Sequence, residues 1–401
     1  MKENLTERLE PYLRFQIQKR AITLTQNNYT GFDTEFSLKD DKKHLNSLLS
    51  IQLANQTRTI IRIPLNTSLD LSYIHPLTSE ISKLTSDKDK DKDQEPGKVN
   101  EIEKIEKSLD ELKILNSSLK LGVKNLRLKF TLTDFIHSSL IEKLQQIKGV
   151  KYFEDLKRDQ IVFAFPLTNL KTSIIFPKEA ISFSDMIQQS NDLVKDDLVI
   201  SIKNVIFKIK EDFDFDWEKI LGWIEDKKQS EFCRRRTVLT FKFLDQKANV
   251  PISLVKNNYL CAHYSAADLC MLSDFLTLKE KLGIVNKSFV TLGKPIKTAG
   301  TNVYIRDTYL LAPAGNKSLA ALGKLYESEG DFSKVLIKPE DLVNMDEFLK
   351  RDKESFTYYA IKDAVITLKH ALSMEEFNFG IKQLGVPLTL SSMGKNYVLD
   401  E

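Results

Sequence analysis

Residues 86–95 read Ser-Asp-Lys-Asp-Lys-Asp-Lys-Asp-Gln-Glu, and Pro96-Gly97 follows directly. Alternating opposite charges with no apolar side chain have nothing to bury, so this stretch is a solvated linker or loop. Its aspartates cancel most of the field its lysines could offer to phosphate. Any core must be assembled from the segments on either side. With 42% hydrophobic residues in 401, they can build one large domain or two ordinary ones.

A net charge of +3 is not the strongly basic balance of a purely electrostatic nucleic-acid binder, though it leaves room for a local basic groove. Cys233, Cys261 and Cys270 form neither a CxxC pair nor a zinc-spaced Cys/His cluster. A reducing compartment fits that usage best. No apolar run reaches the roughly 18 residues of a membrane span, and no membrane partner is expected. The N-terminus mixes acidic and basic residues without a signal-peptide core.

Residues 3–20 read as a helix interrupted at Pro11, part of a helical arm over 1–27. Tyr29–Phe36, Leu48–Leu53 and Thr59–Leu65 read as three strands of a meander. Residues 98–115 form a charged amphipathic pattern. Beyond it, strands are expected at Leu126–Leu132, Gln160–Phe165, Thr172–Phe176, Leu198–Ile209 and Thr237–Leu244. Helices are expected at Phe135–Ile147 and after Trp217. Arg234-Arg235-Arg236 is either a solvated loop or a phosphate contact. After residue 255 the chain is α/β-like. Strands are expected at Asn258–His263 and Asn302–Asp307. Helices are expected at Ala266–Leu282, Ser318–Tyr326, Met345–Leu349 and Phe356–Leu384.

Four carboxylates stand out. Asp33 and Glu35 are two residues apart in Tyr-Thr-Gly-Phe-Asp-Thr-Glu-Phe, so a strand puts both on one face. Two such groups repel unless a cation lies between them, a divalent metal or an Arg/Lys. A solvent-facing acidic pair is the plain alternative. Asp268 follows the apolar run Leu260-Cys261-Ala262-His263 at a strand-to-helix corner, where it either caps the helix or projects into a cleft. Tyr359 and Asp363 are i and i+4 on one helical face, which brings phenol and carboxylate to one point. Tyr359 also fits as an ordinary core residue.

This order, D-x-E on a strand, an aspartate after a strand and Y-x-x-x-D on a late helix, resembles the DEDD superfamily of 3′–5′ exonucleases, in the subgroup with tyrosine. The runs FDTEF, LLSIQLA, AHYSAADLCMLSDF, RDTYLLAPAGNKSLAALGKLY, YYAIKDAVITLKHA and VPLTLSSMG narrow it. They are similar to the exonuclease region of protein-primed family B DNA polymerases of the linear and mitochondrial plasmid type. The resemblance implies an RNase H-like α/β fold, a mixed sheet flanked by helices, made from 28–75 and 237–401. A large α+β insertion over 76–236, including the linker 86–97, would separate the two parts. It implies two Mg²⁺ or Mn²⁺ ions held by Asp33, Glu35, Asp268 and Asp363. Tyr359 would orient the attacking water and Lys334, in Lys-Val-Leu-Ile, would support catalysis. Ser318 and Leu319, in Ser-Leu-Ala-Ala-Leu, with His263 and Tyr264, would hold a single-stranded DNA 3′ end. Without the family context, Ser318 is an ordinary helix start and Lys334 a surface lysine.

The chain departs from that family in three ways. Asp33 and Asp268 are 235 residues apart. Tyr264 and Ala267 stand where the family often has Asn and an aromatic. No palm signature with a Tyr-x-Asp-x-Asp core is seen. The expectation is therefore a proofreading region without polymerase activity of its own, working with a separately encoded polymerase or terminal protein. The rival is a weak or inactive remnant used as a nucleic-acid-binding or scaffold subunit. The expected location is mitochondrial for an organelle-plasmid origin and cytoplasmic otherwise.

Overall fold

The computed structural model describes residues 14–17, 22–37, 47–64, 69–72, 142–197, 237–243 and 246–400. Strands β1 (Arg14–Ile17), β2 (Ile22–Ser37), β3 (Ser47–Pro64) and β4 (Leu69–Ser72) come first. A short helix α1 (Glu142–Gln145) leads to β5 (Lys151–Asp155), β6 (Gln160–Ala164), β7 (Lys171–Ile175) and helix α2 (Phe183–Leu193). Then come β8 (Thr237–Phe243), β9 (Gln246–Ala262), α3 (Ser265–Leu269) and α4 (Phe275–Lys279). The hairpin β10–β11 (Gly283–Val285, Ser288–Val290) precedes β12 (Ile296–Thr298) and β13 (Thr301–Asp307). Helices α5 (Leu319–Leu325), α6 (Pro339–Val343), α7 (Met345–Arg351), α8 (Lys353–Gly380) and α9 (Leu390–Asp400) follow.

A mixed sheet of nine strands runs β12-β13-β9-β2-β3-β6-β5, with β7 also on β3 and β8 also on β9. The pairs β2–β9 and β9–β13 are parallel and the rest are antiparallel. Period-2 alternation sorts β2 into two faces. Phe32 joins Ile51, Leu53, Leu260 and Ile305 beneath Phe183, Met186 and Ile187 of α2. Tyr29 joins Ala54, Tyr259 and Cys261 beneath Ala364, Leu368 and Ala371 of α8. Helices thus cover both faces. Full burial of each large side chain contributes about 1.5–3 kcal/mol.

Two contacts fix α8 on the sheet. Gly31 lets the helix backbone come close: a Cβ there would meet the Ala364 carbonyl oxygen at 2.1 Å. Farther along, fully buried Glu375 accepts from the Tyr29 hydroxyl at 2.9 Å and pairs with Arg58 Nη1 at 3.0 Å. A buried pair of this kind holds register, because removing either partner strands the other's charge. The start of α8 is capped by Asp352, whose carboxylate accepts from Ser355 N–H at 3.0 Å.

Several sequence expectations need correction. The helical arm over 1–27 does not hold where it can be checked: 14–17 and 22–27 are strand, and β1 pairs with β4. The two strands Leu48–Leu53 and Thr59–Leu65 are one continuous strand, so β2–β3 is a long hairpin rather than a meander. Part of the segment read as an insertion is built into the main structure. β6 and β7 pair with β3, and α2 packs on the core. The helix expected at Ala266–Leu282 is two short ones, α3 and α4. The linker 86–97, the pattern at 98–115, the strands at Leu126–Leu132 and Leu198–Ile209, the helix after Trp217 and Arg234–Arg236 lie outside the described residues. Among the described residues no helix is long and apolar enough to cross a membrane.

Candidate active site

Asp33 and Glu35 leave β2 on the face covered by α8. A β-bulge follows immediately: Glu35 is opposite Ser50 but Phe36 is opposite Leu48, so Leu49 is extra. Such a bulge bends the strand and re-aims its side chains. Asp363 comes down from α8, one residue before the Ala364 carbonyl that seats against Gly31. One carboxylate oxygen from each of Asp33, Glu35 and Asp363 lies within 4.8 Å of the other two. Two elements more than 300 positions apart in the sequence thus meet at one point.

Asp363 Oδ2 accepts from Lys334 Nζ at 2.7 Å. Its Oδ1 is buried and has no hydrogen-bond partner. The same ammonium lies 5.5 Å from the centre of the Tyr359 ring. Tyr359 is one turn before Asp363 and is itself buried. The structure therefore brings Asp33, Glu35, Asp363, Tyr359 and Lys334 together.

Asp268 is held beside this group. Its Oδ1 accepts from the Thr34 backbone N–H at 3.1 Å and the Thr34 hydroxyl at 2.9 Å. β9 ends at Ala262 and its pairing with β2 at Gly31↔Cys261, so the Thr34 amide lies past the ladder and Asp268 takes it up. Asp268 is not within the three-carboxylate group, but its charge reaches Asp33.

The electrostatics are those of too many carboxylates for one lysine. Burial, then Asp268, Glu35 and Asp363, push Asp33 well above the usual carboxylate range, against the pull of Lys334. Burial and then Asp363 raise Glu35 to about 8. Burial raises Asp268 to about 7 although the Thr34 bonds oppose it. Burial also raises Asp363, and Lys334 works the other way. The Tyr359 phenol is pushed up by burial and by Glu35, Asp363 and Asp33. Acids gathered this closely resist ionisation until a cation approaches, which makes the cluster a candidate cation site. The donors are carboxylates with no thiol or imidazole, which suits hard Mg²⁺ or Mn²⁺. The unpartnered Asp363 Oδ1 fits the same reading.

The residues expected to hold DNA are distributed differently. His263 Nδ1 is 3.0 Å from the Thr308 hydroxyl, and burial lowers its pKa. Tyr264 is 41% exposed with φ 72°, a conformation unusual for any residue but glycine. Asp307 holds that corner. Its buried carboxylate accepts from the N–H groups of Tyr264 (2.9 Å), Ser265 (2.7 Å) and Tyr309 (2.9 Å), and from the Ser265 hydroxyl (2.9 Å). The Tyr309 ring lies edge-on to both His263 and Tyr264, each 6.0 Å away, with Lys317 Nζ 4.8 Å from its centre. Ser318 caps α5 by accepting from Ala321 N–H at 3.2 Å. Leu319 is buried with Ala312, Leu322 and Ile366, inside the core rather than on a cleft wall.

Asp307, Tyr309, Lys317, Thr34 and Gly31 carry this geometry but received no role from sequence reasoning. All but Thr34 and Gly31 lie in the run RDTYLLAPAGNKSLAALGKLY, where Asp307 ends an alternating strand. Compared with protein-family models and with curated protein sequences, the chain matches none.

Proposed function

We propose that this chain is a metal-dependent 3′–5′ exonuclease acting on single-stranded DNA ends. In this reading it has an RNase H-like fold akin to the proofreading region of protein-primed family B DNA polymerases. One observation carries the proposal: three carboxylates from β2 and α8 converge within 4.8 Å, and the buried Oδ1 of Asp363 among them lacks any partner. Asp33, Glu35 and Asp363 would hold one divalent ion, with Asp268 placed to serve a second. Bound Mg²⁺ or Mn²⁺ would supply Lewis-acid polarisation of the phosphate and an activated water. Tyr359 orients the incoming nucleophile through its phenol. Lys334 holds Asp363 in place and offsets negative charge at the reacting phosphate. The exposed Tyr264 with Tyr309 and Lys317 offers the aromatic and cationic surface on which a terminal base and its backbone can rest.

A second reading rests on Lys334. Its ammonium already supplies one positive charge to the cluster, as a remnant kept for scaffolding or nucleic-acid binding would require. One digestion separates the two. With Mn²⁺, 5′-labelled single-stranded DNA should shorten stepwise and 3′-labelled DNA should release its label as mononucleotide at once. Strand binding without any metal-dependent shortening would support the scaffold and end the exonuclease proposal.

A further inference from the structure

Gln52 lies on β3 directly opposite Asp33, and Ser50 lies opposite Glu35. On its other side Gln52 is opposite Ile174 of β7, which packs with Tyr359 and Phe356 of α8. Pleating therefore puts the Gln52 side chain on the carboxylate face, between Asp33 and the Tyr359 cluster. Gln52 and Ser50 are both fully buried. The amide Nε2 donates to Ser50 Oγ at 2.7 Å, whereas Oε1 has no partner.

A buried amide oxygen without a donor costs about 1–3 kcal/mol, and folds retain one mainly where something else fills the need. The carboxylates on that face offer it no proton once they are ionised, as they are around a bound cation. Water is the small donor that fits: it can give one hydrogen to an amide oxygen and still lie against carboxylates. A fifth carboxylate here would add to the repulsion already present. A neutral amide accepts a hydrogen bond without adding charge.

We propose that Gln52 is a positioning residue of the site, its side-chain carbonyl accepting a hydrogen bond from a water molecule held at the carboxylate cluster. The inference rests on reading that cluster as a cation site. Gln52 touches no reacting atom. It fixes the orientation of a water whose oxygen faces the cation, as residues around bound metals commonly do.

The test is the Mn²⁺ concentration that half-saturates the gain in melting temperature, measured on wild type, Asp33→Ala, Gln52→Met, Gln52→Asn and Gln52→Glu. Gln52→Met keeps the volume and removes the acceptor. Its half-saturating Mn²⁺ should rise by about tenfold or more, while Gln52→Glu, which restores an acceptor, should bring it back most of the way. A purely structural Gln52 would instead lower the metal-free melting temperature in Gln52→Met and leave the Mn²⁺ midpoint within about twofold of wild type, which overturns the proposal. Should Gln52→Met not melt cooperatively, Gln52→Asn decides: its withdrawn carbonyl should raise the half-saturating Mn²⁺ by about tenfold, and a midpoint within about twofold of wild type overturns the proposal. If wild type gains no more stability than Asp33→Ala, the cation reading itself falls and takes this inference with it.

Discussion

Gly31 is pressed against the backbone of Ala364: a Cβ on it would come within 2.1 Å of the Ala364 carbonyl oxygen and 2.8 Å of Leu368 Cβ. The obstacle is main chain and cannot rotate away. Gly31 stands two residues from Asp33, and Ala364 follows Asp363. The same close approach that packs the helix on the sheet thus sets the distance between the two carboxylates.

Gly31→Ala should therefore do more than destabilise. Overpacking costs about 1–3 kcal/mol where side chains give way, and the immovable carbonyl puts this case at or above the upper end. Lifting α8 should also move Asp363 away from Asp33 and Glu35. Thermal melts should show a lower midpoint, and the Mn²⁺-dependent rise in that midpoint should shrink. A variant that melts lower yet keeps the full Mn²⁺ response would refute the link.

Asp307 should control the strand-to-helix corner. Four donors converge on its carboxylate, three of them from Tyr264 and Ser265 just ahead of Asp268. Asp307→Asn retains the shape but puts an amide NH₂ against donors. Loss of a buried acceptor costs about 1–3 kcal/mol, more for a charged one. The left-handed Tyr264 would lose its anchor, so Tyr264→Gly should relieve part of the loss in the double variant. Additive melting-temperature changes in the Asp307→Asn/Tyr264→Gly pair would show that the two do not act together.

The acidic cluster predicts an unusual pH profile for the metal-free protein. Glu35 keeps its proton up to about 8 in the folded state, while an unfolded chain releases it near its ordinary 4.5. Between those limits the folded state binds more protons, so this contribution is full below pH 4.5 and is lost as pH rises to 8. Unfolding in chelator should show that decline, and Glu35→Gln should flatten it. With Mn²⁺ the trend should reverse, because the ligands must ionise to bind and metal affinity rises with pH. A chelated wild type whose decline is no steeper than that of Glu35→Gln would contradict the assignment.

How much of this was readable beforehand depends on how local each signal is. Asp33/Glu35 and Tyr359/Asp363 each lie within one element, where a period of 2 or 3.6 reports which side chains share a face. Asp268 was visible as a strand-to-helix corner. The continuous β3 was not visible, because Ala54-Asn55-Gln56-Thr57 in its middle is turn-like in composition. Several of the polar groups there find their partners far away in the sequence. Asn55 Nδ2 donates to Asn28 Oδ1 (3.1 Å), Thr30 Oγ1 (2.9 Å) and Ser190 Oγ (2.9 Å), and Asn258 Nδ2 donates to the same Ser190 oxygen at 3.0 Å. A network spanning β2, β3, β9 and α2 leaves no trace in the residues next to Asn55. The same holds for Gln26–Asn28, buried in β2 ahead of the expected strand start. It holds for β6 and β7, whose pairing with β3 joins residues more than 90 positions apart.

The three converging carboxylates are expected to work as a metal-dependent hydrolytic site. The most direct measurement is Mn²⁺-dependent mononucleotide release from labelled single-stranded DNA by wild type and by Asp33→Ala/Glu35→Ala, with the metal-free melting temperature of each. Removing two mutually repelling acids should leave that temperature unchanged or raised, while release falls by at least about a hundredfold, as for a lost catalytic metal site. Release equal to that of wild type from the double variant would contradict the account.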